Sequence, residues 1–178
     1  MLKATVAVIG LALVVAAAPA SAQNCNGTAT CSVTSTASVT VPALVDLTVA
    51  GAGAIALSSP TVAALATGYV QDAGPVITVK ANRTWSLSVN TTATTNWTYV
   101  SGGQGGVKPI ADLTWSNTAA GTYVAITGTA ASVVTAQART NTGAPTIFFR
   151  TVYSSDFSSN NNAAGVYSIP LVFTLTAP

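Results

Sequence analysis

The chain has 178 residues, of which only 6% are charged: six Lys or Arg and four acidic residues, with no His. So few charges leave no basic stripe for nucleic acid. The absence of His and of any Glu removes Ser/His/Asp and Cys/His nucleophile systems and the imidazole ligands of zinc sites. The four Asp residues (46, 72, 112 and 156) lie far apart in sequence, so enzymatic chemistry is not expected, nor is a metal or cofactor.

The first residues, MLKATVAVIGLALVVAAAPASAQ, read as a secretory signal peptide over 1–22. Lys3 supplies the positive end, an apolar run extends to about Ala18, and Pro19 precedes the small residues Ala20-Ser21-Ala22. The run is short of the ~20 residues that span a bilayer. Cleavage there leaves one expected domain over 23–178, secreted or in the cell envelope, without a membrane span. Its formal charge is five Lys/Arg minus four Asp, or +1, and so weak a charge does little to oppose association.

Cys25 and Cys31, in CNGTATC, flank the turn-forming Asn26-Gly27. In an exported chain this predicts a disulfide that staples the N-terminus, with about 2–2.5 kcal/mol from closing the loop.

Period-two alternation then recurs along the chain, and helical periodicity is rare. In SVTSTASVTV (32–41), Val33, Ala37, Val39 and Val41 alternate with Thr34, Thr36, Ser38 and Thr40, which predicts a half-buried strand. ALVDLTV (43–49) follows Pro42 as a second short strand or as the continuation of the first after a kink, and 50–68 holds at most a helical turn near Val62–Ala66. PVITVKA (75–81) and TWSLSVN (84–90) are separated by Asn82-Arg83, a hairpin-length connection. Strands are expected at 96–100, 112–116, 122–127, 132–136 and 145–153, with a glycine-rich loop at 101–109 and a polar loop at 154–165. The final run 166–177 places Tyr167, Ile169, Leu171, Phe173 and Leu175 on one face, and Pro170 restricts it to a sheet edge or bulge. Eight to ten short strands at this spacing predict an all-β fold, a single Ig-like antiparallel β-sandwich.

Trp85 alternates in phase with Leu87 and Val89, and Trp115 with Leu113, so both rings are expected in the core. Trp97 and Tyr99 share a face beside the glycine loop and form the candidate ligand surface, as rings that stack on sugars. Asp156 with Asn160, Asn161 and Asn162 offers oxygen ligands but lacks the spacing of a calcium loop, so turn chemistry is expected there. Arg150, opposite in phase to Phe149, is expected on a solvated sheet face.

The ending YSIPLVFTLTAP (167–178) resembles the closing motif of WxL domains, with Phe173-Thr174-Leu175 where that family has Trp-x-Leu. Trp85-Ser86-Leu87 is similar to the family's other Trp-x-Leu. The resemblance implies a β-rich module of a secreted bacterial surface protein that binds cell-wall peptidoglycan non-covalently. A looser similarity, at Gly165-Val166-Tyr167, is to exported sandwich subunits of fimbriae and coats. In such an assembly the strand 32–41 would itself have to be the donated one, since only Gln23 and Asn24 precede Cys25. Two functions follow as expectations: a binding module for cell-wall or extracellular polysaccharide, or a structural subunit that associates with copies of itself through sheet edges.

Overall fold

The computed structural model describes residues 26, 27, 29–51 and 54–178, and the chain divides into two units, 1–40 and 41–178. The signal peptide and Cys25 lie outside the described residues. In the first unit the described residues form neither helix nor strand, and every one is exposed. The half-buried strand expected over 32–41 is therefore not formed. Alternation gives a segment one apolar face, but a strand also needs a paired edge, and no pairing involves these residues.

In the second unit the described residues build an all-β sandwich in which every strand pairing is antiparallel. One layer contains β1 (Val45–Val49), β2 (Tyr69–Ala73) and β3 (Ile77–Ala81). It continues with β6 (Leu113–Ser116), β7 (Val124–Ala125), β9 (Thr140–Gly143) and β10 (Phe148–Val152). β1 pairs with β3 and β3 with β9, while β2 pairs with β10, β10 with β6 and β6 with β7. The Gly74 N–H donates to the Ile147 carbonyl at 2.8 Å and carries the pairing across the break between the two groups. A Cβ at Gly74 would collide with Ile147, so only glycine permits this approach.

The other layer orders β12 (Leu171–Thr176), β4 (Trp85–Thr91) and β8 (Ala131–Gln137). Beside it β11 (Val166–Ser168) pairs with β5 (Thr98–Ser101). β3 and β4 belong to different sheets, so Asn82-Arg83 is a crossover between layers and not the hairpin its length predicted. The alternation of the two strands is the same in either arrangement, which is why the sequence reads as a hairpin. The Asn82 side chain accepts from the Leu44 N–H at 2.9 Å and donates to the Pro42 carbonyl at 2.8 Å, holding 42–44 in line with β1.

Inward-facing residues of both layers form the core: Ile77, Val79, Trp85, Leu87, Val89, Leu113, Trp115 and Phe149 are all buried. Trp85 and Trp115 are thus core rings, as their alternation predicts. The last run breaks at Ile169-Pro170, between β11 and β12, where proline has no N–H to give a ladder. Thr91 ties the interrupted run to β4 through its side chain. Its hydroxyl donates to the Pro170 carbonyl at 2.7 Å and accepts from the Ala93 N–H at 3.1 Å. Thr91 is 1% exposed, and Thr91→Val removes two part-buried hydrogen bonds, with an expected cost of ~1–2 kcal/mol. Urea unfolding of the variant checks this; an unchanged midpoint would show that the join at Pro170 does not depend on the hydroxyl.

The helical turn expected near Val62–Ala66 is α1 (Val62–Thr67), capped by the Thr61 hydroxyl and ended by Gly68 at φ +90°. Before it, the Asp72 carboxylate accepts from the N–H and hydroxyl of Ser58, at 3.1 and 2.6 Å, tying the approach to α1 onto β2. Among the described residues no helix is long and apolar enough to cross a membrane.

Candidate functional site

The two layers leave an open cleft of about 860 Å3 on one side of the sandwich. One wall is β1 and the chain after it, through Leu47, Val49, Ile55 and Leu57. The opposite wall is the β11–β12 run, through Tyr167, Ile169, Leu171 and Phe173. The core residues Trp97, Leu113 and Phe149 lie between them, and among the described residues no charged side chain lines the cleft.

Strand pairing explains why the sandwich stays open here. Among the described residues β1 pairs only with β3, and β12 only with β4, so each is an edge, and the two edges approach one another over part of their length. The alternation of β12 turns Leu171, Phe173 and Leu175 inward, yet all three remain only partly buried against the core. Along this seam the sandwich has two strand edges and an incompletely covered apolar interior.

Trp97 and Tyr99 do not form the common exposed surface expected of them. Trp97 is 9% exposed and belongs to the core, whereas Tyr99 is 42% exposed. Trp97 precedes β5, next to an isolated bridge between Asn96 and Pro109. The strand's period of two therefore does not extend back to it. The Tyr99 ring packs edge-on against Tyr167, with centroids 5.8 Å apart, and its hydroxyl donates to the Gly102 carbonyl. Cβ atoms at Gly105 or Gly165 would lie 3.1 and 2.7 Å from that ring. Glycine at these positions lets the chain pack directly onto the Tyr99 ring at the end of β5.

Lys108 closes the same end of the fold, and it was not singled out from the sequence. It is 3% exposed. Its ammonium contacts the Asp112 carboxylate at 3.3 Å, donates to the Val152 carbonyl at 3.0 Å and lies 4.3 Å from the Tyr153 ring centroid. The Trp97 ring is 5.7 Å away on another side. Asn161 donates to the same Asp112 oxygen at 3.3 Å. Burial pushes the Lys108 pKa down, and the attraction and hydrogen bond of Asp112 oppose that shift. The i,i+4 spacing of Lys108 and Asp112 was the available signal, and the glycine loop before it reads instead as solvent. The group ties the loop around 108 to β10.

Arg150 lies on the other face of β10, half-buried between the Tyr69 and Tyr123 rings at 4.3 and 3.8 Å, with Nε on Gln71 at 2.9 Å. The expected solvated face is partly roofed by aromatic rings. The Asp156 carboxylate accepts from the N–H and hydroxyl of Ser158, at 2.9 and 2.7 Å, and these bonds lower its pKa. This is the turn chemistry expected there. Among the described residues no three potential ligands gather as a metal site. The Cys25–Cys31 bridge cannot be placed, because Cys25 lies outside the described residues.

No protein-family model matches the chain, and no curated protein is significantly similar to it.

Proposed function

We propose that this is an exported structural subunit whose copies associate through the open side of the sandwich. The observation that carries this reading is the uncharged cleft between the β1 and β12 edges, with core side chains between them. An edge strand presents a row of unpaired N–H and C=O groups, a template for another strand. Here two such edges flank exposed apolar surface, so a protein strand can satisfy both the backbone groups and the side chains. A sugar chain can bond the edge backbone through its hydroxyls but leaves the aliphatic side chains of the cleft without an apolar partner. The low charge of the whole chain also does little to oppose assembly.

The burial of Trp97 weighs against the polysaccharide surface, because one of its two rings is not presented. The test is sedimentation of natively exported protein across a hundredfold concentration range. Concentration-dependent oligomers are the expected result. A monomer at every concentration that is retained on insoluble cell-wall polysaccharide would replace this reading with the binding module.

A further inference from the structure

We infer that Arg150 anchors a second site, on the outer sheet face away from the cleft, that takes the carboxylate of an acidic sugar. The inference is independent of the self-association reading, because Arg150 and the core ring Phe149 lie on opposite faces of β10.

The guanidinium is held in place but not neutralised. Tyr69 reaches it from β2 and Tyr123 from the chain before β7, so rings cover it from both flanks and leave its edge for a ligand. Its Nε donates to the Gln71 amide oxygen, and the Gln71 amide nitrogen donates to the Ala119 carbonyl at 3.1 Å. The Tyr123 hydroxyl donates to that same carbonyl at 3.2 Å. One carbonyl thus positions both a flanking ring and the side chain that orients the arginine. Among the described residues neither terminal nitrogen of Arg150 has a hydrogen-bond partner, and neither is buried, so both reach solvent. The Tyr69 hydroxyl is likewise unpartnered and accessible among the described residues.

The chain's own acidic side chains are all engaged elsewhere. Asp46 pairs with Lys80 and Asp112 with Lys108, while Asp72 accepts from Ser58 and Asp156 from Ser158. Arg150 is therefore a half-buried cation without a counter-ion among the described residues, and an arriving anion offsets its desolvation. Its two terminal nitrogens form the fork that a carboxylate meets with paired N–H···O bonds. A planar carboxylate fits this edge better than a tetrahedral oxyanion, whose further oxygens stand out of the guanidinium plane toward the rings. Arg150 is the only cation in β2, β6, β7 and β10, too few for a nucleic acid or an anionic membrane. β10 is paired on both sides, so its backbone offers no edge to an acidic peptide. The neighbours that remain, Tyr69, Gln71 and Thr114, carry hydroxyl and amide groups that suit the hydroxyls of a sugar.

The test is retention of the full exported chain at low ionic strength on immobilised polygalacturonate and on the same polymer methyl-esterified. The chain is loaded at a concentration where it sediments as one species. Wild type should be retarded by the free-acid polymer and not by the ester. Arg150→Met should reduce that retention about tenfold, whereas Arg139→Met, which removes the same charge from an exposed position, should change it less than about twofold. Arg150→Lys keeps the charge without the fork and should lose most of the retention. Gln71→Ala frees the guanidinium and should cost about threefold, as expected of a positioning residue. Free galacturonate should elute the wild type, and sulfate at equal ionic strength should not. No retention of wild type, equal retention on both polymers, or equal losses from Arg139→Met and Arg150→Met would overturn the site and leave Arg150 as cement between two rings. Should Arg150→Met fail to fold, full retention by Arg150→Lys would overturn the fork. Elution by sulfate as readily as by galacturonate would overturn the carboxylate, and stronger elution by polyaspartate, compared per carboxylate, would assign the site to an acidic protein. A chain that never self-associates leaves every arm of this test unchanged, so the two readings fail separately.

Discussion

Trp97→Ala is expected to destabilise the fold by ~3–5 kcal/mol, the usual cost of removing a buried indole. For a domain of this size that lowers the thermal midpoint by roughly 10 °C. The ring is 9% exposed and lies in the core with Leu113 and Phe149, so its loss enlarges the cleft inward and strips contacts from residues that cannot follow. Tyr99→Ala should cost only ~1–2 kcal/mol, because that ring is 42% exposed and gives up one edge contact and one hydrogen bond. Trp85→Ala is the control. Its indole N–H donates to the Ala138 carbonyl at 2.9 Å and it is 4% exposed, so it should match Trp97→Ala or exceed it. All three must be compared at one protein concentration, since association raises the apparent midpoint by mass action. A Trp97→Ala chain that keeps its midpoint within a degree or two and loses retention on wall polysaccharide would restore the sugar-stacking surface.

The same residue shows where the sequence is informative and where it stops. TWSLSVN alternates cleanly, and β4 buries Trp85, Leu87, Val89 and Thr91 as that pattern requires. Pro170 restricts the last run to a sheet edge or a bulge; β12 is an edge, and the run is interrupted at Pro170. Alternation reports which residues share a face only inside a strand, and Trp97 stands just outside one. It also does not report partners. The run 32–41 has as clear a pattern as β4, yet it is unpaired, while β9, Thr140-Asn141-Thr142-Gly143, has no apolar residue and still pairs with β3 through its backbone. The cleft followed from neither local signal. It arises because β1 and β12 each find one neighbour, a property of topology that no single stretch encodes. Lys108 escaped notice for a simpler reason: a lysine after four glycines reads as surface, and its burial depends on Tyr153 and Asp112 closing over it.

That lysine gives the second large effect. Lys108→Ala leaves the Asp112 carboxylate, whose side chain is 13% exposed, without its cation, and leaves the Val152 carbonyl without its donor. Breaking a buried pair from one side is expected to cost ~3–5 kcal/mol. The pair itself is worth much less, because two ions were desolvated to form it. Lys108→Met with Asp112→Asn keeps the apolar stem and an acceptor for Asn161, and should recover most of the loss. A pH series distinguishes this from lost packing. Burial holds the folded Lys108 pKa below the ordinary 10.5, so between the folded value and 10.5 the unfolded chain binds more protons. Stability from this group therefore rises with pH across that window, and its desolvation cost is present in full below it. Tyr153 acts in the opposite sense above about 10, where its raised pKa keeps the folded ring protonated while the unfolded one ionises. Urea unfolding from pH 7 to 10 should accordingly show an alkaline gain in the wild type that the double variant lacks. If the double variant is as unstable as Lys108→Ala, and the pH slopes of wild type and variant coincide, the lysine contributes through its stem alone and the buried charge pair is incidental to the fold.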